Sequence, residues 1–124
     1  MAKIGFLGLG VMGYPMAGHL QAKGHQVTVY NRTQAKAARW VAEHQGMQAE
    51  TPAAAANGAD FVMACVGNDA DLRAVCTGEN GAFSAMDAST IFVDHTTVSA
   101  QVTKELADLW CAQGGLFIDA PISG

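Results

Sequence analysis

The chain has 124 residues, half of them apolar, and a net charge of −4 from 7 Lys and Arg against 11 Asp and Glu. That is enough for one domain with a core of its own, and without a basic run it argues against nucleic acid as a partner. No apolar stretch approaches the roughly 20 residues of a membrane span, and Lys3 leads into a glycine-broken segment unlike a signal peptide.

Residues 4–7 (Ile-Gly-Phe-Leu) predict a first strand, which runs into Gly8-Leu9-Gly10-Val11-Met12-Gly13. This G-x-G-x-x-G turn opens a helix, because Met12, Met16 and Leu20 recur at the spacing of one buried face. Pro15 falls in its first turn, where the missing N–H costs little, and Gly24 stops it. In a dinucleotide site each glycine has a physical task. Gly8 allows the tight turn, Gly10 lets the backbone approach a pyrophosphate, and Gly13 lets the helix pack closely on the strand. The helix N-terminus then offers N–H groups and a partial positive charge to the phosphates.

Residues 26–30 predict a second strand, followed by Asn31-Arg32-Thr33, with Lys36 one helical turn on. An acidic residue here, about 20 residues past the glycines, normally bonds the adenosine ribose and selects NAD. A neutral amide beside a guanidinium instead admits a 2′-phosphate, which Arg can bind bidentately. NADP is therefore favoured over NAD. The alternative is that Arg32 and Lys36 are solvated charges at a helix start.

Thr33 is placed to cap a helix over 35–44, with Ala37, Trp40 and Val41 on one face. Residues 47–49 form a short third strand, and Thr51-Pro52 opens an alanine-rich helix ended by Asn57-Gly58. The nearly continuous apolar run 59–66 predicts a strand covered on both faces. Gly67-Asn68-Asp69 then caps a helix over 70–76, and 77–81 is a loop. Residues 91–94 predict a strand, 99–113 a helix with Val102, Leu106 and Leu109 inward, and 116–119 a last strand. Strands alternating with helices in this way imply βαβ units. The predicted fold is α/β, Rossmann-type and doubly wound, a mainly parallel sheet with helices on both faces, in one domain over 1–124. Cys65, Cys76 and Cys111 show no C-x-x-C spacing and the four histidines are scattered, which predicts reduced thiols, a cytoplasmic protein and no metal site.

Three further stretches join the glycine turn: Val66-Gly67-Asn68, Asp94-His95-Thr96-Thr97, and Asp119-Ala120-Pro121-Ile122-Ser123-Gly124. Together these four segments resemble the N-terminal domain of the 3-hydroxyisobutyrate dehydrogenase (β-hydroxyacid dehydrogenase) family over essentially the whole chain. The resemblance implies that Gly8 to Gly13 hold the pyrophosphate, and that Asn31, Arg32 and Thr33 are the form found in NADPH-using members. It further implies that Val66 lines the adenosine side, that Thr97 lies near the nicotinamide ribose, and that Ser123 and Gly124 bind a substrate carboxylate.

The same resemblance implies hydride transfer to or from a small β-hydroxyacid or semialdehyde. It places the catalytic lysine on a second, all-helical domain, absent from these residues, which also forms a homo-oligomer. No catalytic residue is therefore expected here, and Lys104, in mid-helix, is not given that role. His95 departs from the family's small or apolar residue and reads as packed or solvated, with substrate contact the alternative. Asp94 and Asp119 read as strand-end carboxylates bonding local N–H groups rather than as catalytic acids. An imine reductase, a 6-phosphogluconate dehydrogenase and a non-catalytic nucleotide-binding module are the competing readings.

Overall fold

The computed structural model describes residues 1–96 and 99–120. Along the chain come β1 (Lys3–Leu7), α1 (Gly13–Ala22), β2 (Gln26–Tyr30), α2 (Gln34–His44), β3 (Met47–Gln48) and α3 (Pro52–Ala56). They are followed by β4 (Phe61–Ala64), α4 (Asp69–Thr77), a single 3-10 turn (Ala82–Ser84), β5 (Ile91–Asp94), α5 (Ala100–Ala112) and β6 (Leu116–Asp119). The strands form one parallel sheet in the order β3-β2-β1-β4-β5-β6. This is the doubly wound α/β arrangement that the alternation of elements predicts.

β1 lies inside the sheet because Ile4, Gly5, Phe6 and Leu7 are all buried, as a strand covered on both faces requires. The winding runs outward through β2 and β3, then crosses back and proceeds through β4, β5 and β6. The direction reverses between β1 and β4, so the carboxyl ends of these two strands diverge into a crevice. On one face α1 and α2 close a core of Ile4, Phe6, Leu9, Val27, Val29 and Trp40. On the other, the core of Leu7, Val62, Leu72, Phe92, Leu106 and Trp110 lies under α3, α4 and α5. The fold therefore has two apolar layers separated by one sheet.

Several sequence expectations are corrected in detail. The buried face of α1 is Gly13, Ala17 and Gly18, whereas Met12 precedes the helix and is 42% exposed, and Met16 and Leu20 are only half-buried. The reason is distance. A Cβ on Gly13 would strike the Gly8 carbonyl, and one on Gly18 would meet the His44 ring, so α1 sits too close for larger inward side chains. In α5 the third inward residue is Trp110 rather than Leu109, which is 45% exposed. The indole N–H of Trp110 donates to the Thr90 carbonyl at 3.2 Å, fixing that helix over the β5 side of the sheet.

β4 is shorter than the apolar run 59–66, and its burial alternates: Val62 and Ala64 are buried, Phe61 and Met63 only half-buried. The α1–α2 layer reaches these two residues only at its margin. The 3-10 turn had no expected counterpart, because three residues display no period.

Candidate functional site

The glycine turn is built from close approaches. Gly8 has φ +103°, a left-handed conformation that favours glycine, and its N–H donates to the Tyr30 carbonyl at 2.9 Å. An added Cβ at Gly8 would collide with the Cys65 carbonyl, and one at Gly13 with the Gly8 carbonyl. Gly10 is the opposite case: a Cβ there meets no protein atom within 4 Å. Leu9 is fully buried and its N–H donates to Asn31 Oδ1 at 2.9 Å, while Asn31 Nδ2 donates to the Thr33 carbonyl at 3.1 Å. Asn31 thus pins the turn to the end of β2 with both ends of its amide.

At the β1/β4 reversal lies a cleft of about 430 Å³. It gathers most of the residues that the sequence assigned to a cofactor: Gly8, Leu9, Gly10, Val11, Met12, Asn31, Arg32, Thr33 and Val66. Gly13 is buried beneath the turn and is not part of the lining. Thr97, Ser123 and Gly124 lie outside the described residues.

Helix starts divide into two kinds. α3, α4 and α5 each have a side-chain cap, with Thr51, Asn68 and Ser99 accepting from the N–H of Ala54, Asp71 and Val102. α1 and α2, which begin at the cleft after Met12 and Thr33, have no such cap and no acidic residue in the first turn. Uncapped N-terminal N–H groups together with the helix dipole make both starts suited to an anion. Thr33 therefore occupies the expected cap position without making the cap bond.

The structure adds residues that the sequence had not marked. Asp71, Ala74 and Val75 of α4 complete the lining, and Arg32 Nη1 lies 3.2 Å from Asp71 Oδ1. Thr96 Oγ1 accepts the Val66 N–H at 3.1 Å, and the Thr96 N–H donates to Asp94 Oδ1 at 2.8 Å. This chain of bonds ties the loop after β4 to the end of β5. A signal for Asp71 existed in hindsight: a helix leaving β4 must start at the crevice, so its first turn faces the ligand side.

Asp94 is fully buried, and among the described residues its Oδ2 has no partner. Burial pushes its carboxyl above the usual range, against the lowering effect of the Thr96 bonds. Burial, with the charge of Asp94 second, also pushes the Cys65 and Cys76 thiols up, which favours the protonated thiol over the thiolate. Asp94 thus bonds a local N–H as expected, whereas Asp119 is exposed and makes no such side-chain bond among the described residues. His95 Nδ1 lies 2.9 Å from the Ala120 carbonyl oxygen, so the ring braces the strand ends. Lys104 pairs with Asp108 on the exposed face of α5, and neither lines the cleft. The described residues contain no cluster of three or more potential metal ligands and no helix long and apolar enough to cross a membrane.

A family model described as the NAD binding domain of 6-phosphogluconate dehydrogenase matches residues 3–124. An uncharacterized oxidoreductase of Shewanella frigidimarina is 56% identical over 124 residues, covering all of this chain and 43% of that protein. Among solved structures, the 3-hydroxyisobutyrate dehydrogenase of Mycobacterium tuberculosis, determined with L-serine, superposes with TM-score 0.87 at 31% identity, covering the whole chain and 41% of that one. A reductive aminase of Aspergillus terreus, in complex with NADPH and ethyl levulinate, gives TM-score 0.81 at 27% identity, again over the whole chain and 42% of that one. The chain spans less than half the length of these relatives.

Proposed function

The chain belongs to the family of NAD-binding domains of 6-phosphogluconate dehydrogenase, and on that premise we propose that it is the NADP-binding domain of a β-hydroxyacid dehydrogenase or semialdehyde reductase. The observation that carries the choice of NADP is the second uncapped helix start. One anion site, at α1, suits the pyrophosphate of any dinucleotide. Another, at α2, stands beside Thr33 and the 84% exposed side chain of Arg32, which suits a further phosphate on the adenosine ribose. The space beside Gly10 fits the same reading, since a phosphate can approach that backbone without meeting a side chain.

When bound, the cofactor supplies hydride chemistry at its nicotinamide. The residues of this chain bind and orient it. The turn from Gly8 to Met12 holds the pyrophosphate, Arg32 and Thr33 the 2′-phosphate, and Val66, with Asp94 and Thr96 behind it, forms the opposite wall. Thr97 lies near the nicotinamide ribose, and Ser123 and Gly124 contribute to a site for a small carboxylate substrate. Proton transfer on the substrate oxygen belongs to a lysine in a second, helical domain, through which the whole enzyme forms a homo-oligomer. Three unbridged cysteines fit a reducing, cytoplasmic setting. Reduction of imines is the second reading, favoured by the likeness to the NADPH-bound reductive aminase.

Calorimetric titration with NADPH and with NADH tests the assignment. NADPH is expected to bind more tightly, and Arg32→Asp to weaken NADPH roughly tenfold or more while leaving NADH close to unchanged. Equal affinities for the two cofactors in the unaltered chain would overturn the choice of NADP.

A further inference from the structure

Only two charged residues line the cleft among those described, Arg32 and Asp71, and they are bonded to each other. We propose that Asp71 is a specificity-determining residue that competes with the 2′-phosphate of the cofactor for Arg32. This rests on the reading of Arg32 as the 2′-phosphate ligand.

The two partners are held very differently. Arg32 follows β2, its side chain is 84% exposed, and among the described residues its guanidinium bonds Asp71 alone. Its position is decided by its electrostatic partner. Asp71 lies in the first turn of α4, with 29% of its side chain exposed and its own N–H bonded to Asn68 Oδ1 at 2.9 Å. An exposed cation thus meets a largely covered anion mounted on a helix, and the pair joins the β2 side of the cleft to the β4 side.

The bond between them is a single contact from Nη1 at 3.2 Å, not the bidentate fork that a phosphate can accept from arginine. A phosphate can therefore displace the carboxylate, but against two opposing effects. Arg32 must leave Asp71, and the phosphate must then sit near a like charge. A cofactor with a free 2′-hydroxyl meets neither opposition. Asp71 consequently narrows the preference between the two cofactors and eases release of the phosphorylated one. The other acidic residue of the first turn of α4 does not share this task, because both Asp69 oxygens are bonded to Ser99.

The test is calorimetric titration of NADPH and NADH into the unaltered chain, Asp71→Asn, Arg32→Ala and the double variant. Asn keeps the shape and removes the charge. Asp71→Asn is expected to tighten NADPH about two- to fivefold, the range an exposed ion pair is worth, to leave NADH unchanged, and to have no effect once Arg32 is alanine. Unchanged or weaker NADPH binding would overturn the proposal. So would equal tightening of both cofactors, or tightening that persists without Arg32, since Asp71 would then act as a bare charge. If Arg32→Ala leaves the ratio of the two affinities intact, the reading of Arg32 has failed and the proposal falls with it. A ratio lost in Arg32→Ala but untouched by Asp71→Asn overturns the role of Asp71 alone.

Discussion

At Asp94 a fully buried carboxyl group accepts the Thr96 N–H on one oxygen, while the other faces no donor among the described residues. Its raised titration point has a definite sign for stability. As pH rises, the unfolded chain gives up this proton before the folded one does, so deprotonation favours unfolding. The stability tied to this group is full below the ordinary carboxylate range and is lost as pH climbs through the raised value. Asp94→Asn keeps the acceptor for Thr96 and does not titrate. Its melting temperature relative to the unaltered chain is expected to rise with pH across that window and then level off. A difference constant from pH 4 to 8 would refute this account. At this scale the sequence was readable where chemistry repeats along the chain. Spacing after the glycines marks Arg32, and a strand-end position marks Asp94. The bonds made by Asp71 and Thr96 were not readable, because their partners Arg32 and Val66 lie 39 and 30 residues away and meet them only once the strands are ordered.

The turn from β1 into α1 shows that glycines of one motif can serve opposite ends. Gly13 has no room for a side chain on the protein side, whereas Gly10 has open space around it. Gly13→Ala should push α1 away from the turn and destabilise the fold by about 1–3 kcal/mol, as overpacking commonly does. Gly10→Ala should leave the melting temperature unchanged and weaken binding of either dinucleotide, because the new methyl occupies space that the phosphates approach. Thermal melts paired with titrations check both halves, and a loss of stability in Gly10→Ala would contradict the division of labour. The same closeness explains why the helix faces were partly misread. Apolar periodicity picks out large side chains such as Met16 and Leu20, but α1 is seated by its small ones, Gly13, Ala17 and Gly18. In α5 Leu109 and Trp110 are both apolar, and only the direction of the helix over the sheet selects the indole as the buried one.

Over the whole molecule, the alternation of strands and helices was enough to foresee a doubly wound sheet, because parallel strands need crossover helices. Which strand faces are covered was not foreseeable from that alternation. β6 is apolar at three of its four positions, yet Leu116 is 52% and Ile118 41% exposed, since it closes one edge of the sheet. The two buried layers on opposite faces have a practical consequence. The chain contains two tryptophans, and each layer holds one of them: Trp40 on the inner face of α2 and Trp110 on that of α5. Trp40→Phe and Trp110→Phe would therefore give two proteins whose intrinsic fluorescence each reports on one layer alone. Because β1 contributes Ile4 and Phe6 to one layer and Leu7 to the other, neither side can loosen without disturbing a shared strand. For each variant, the urea midpoint read by its remaining indole should coincide with that read by far-ultraviolet circular dichroism. An earlier fluorescence midpoint would mean that one layer melts ahead of the other.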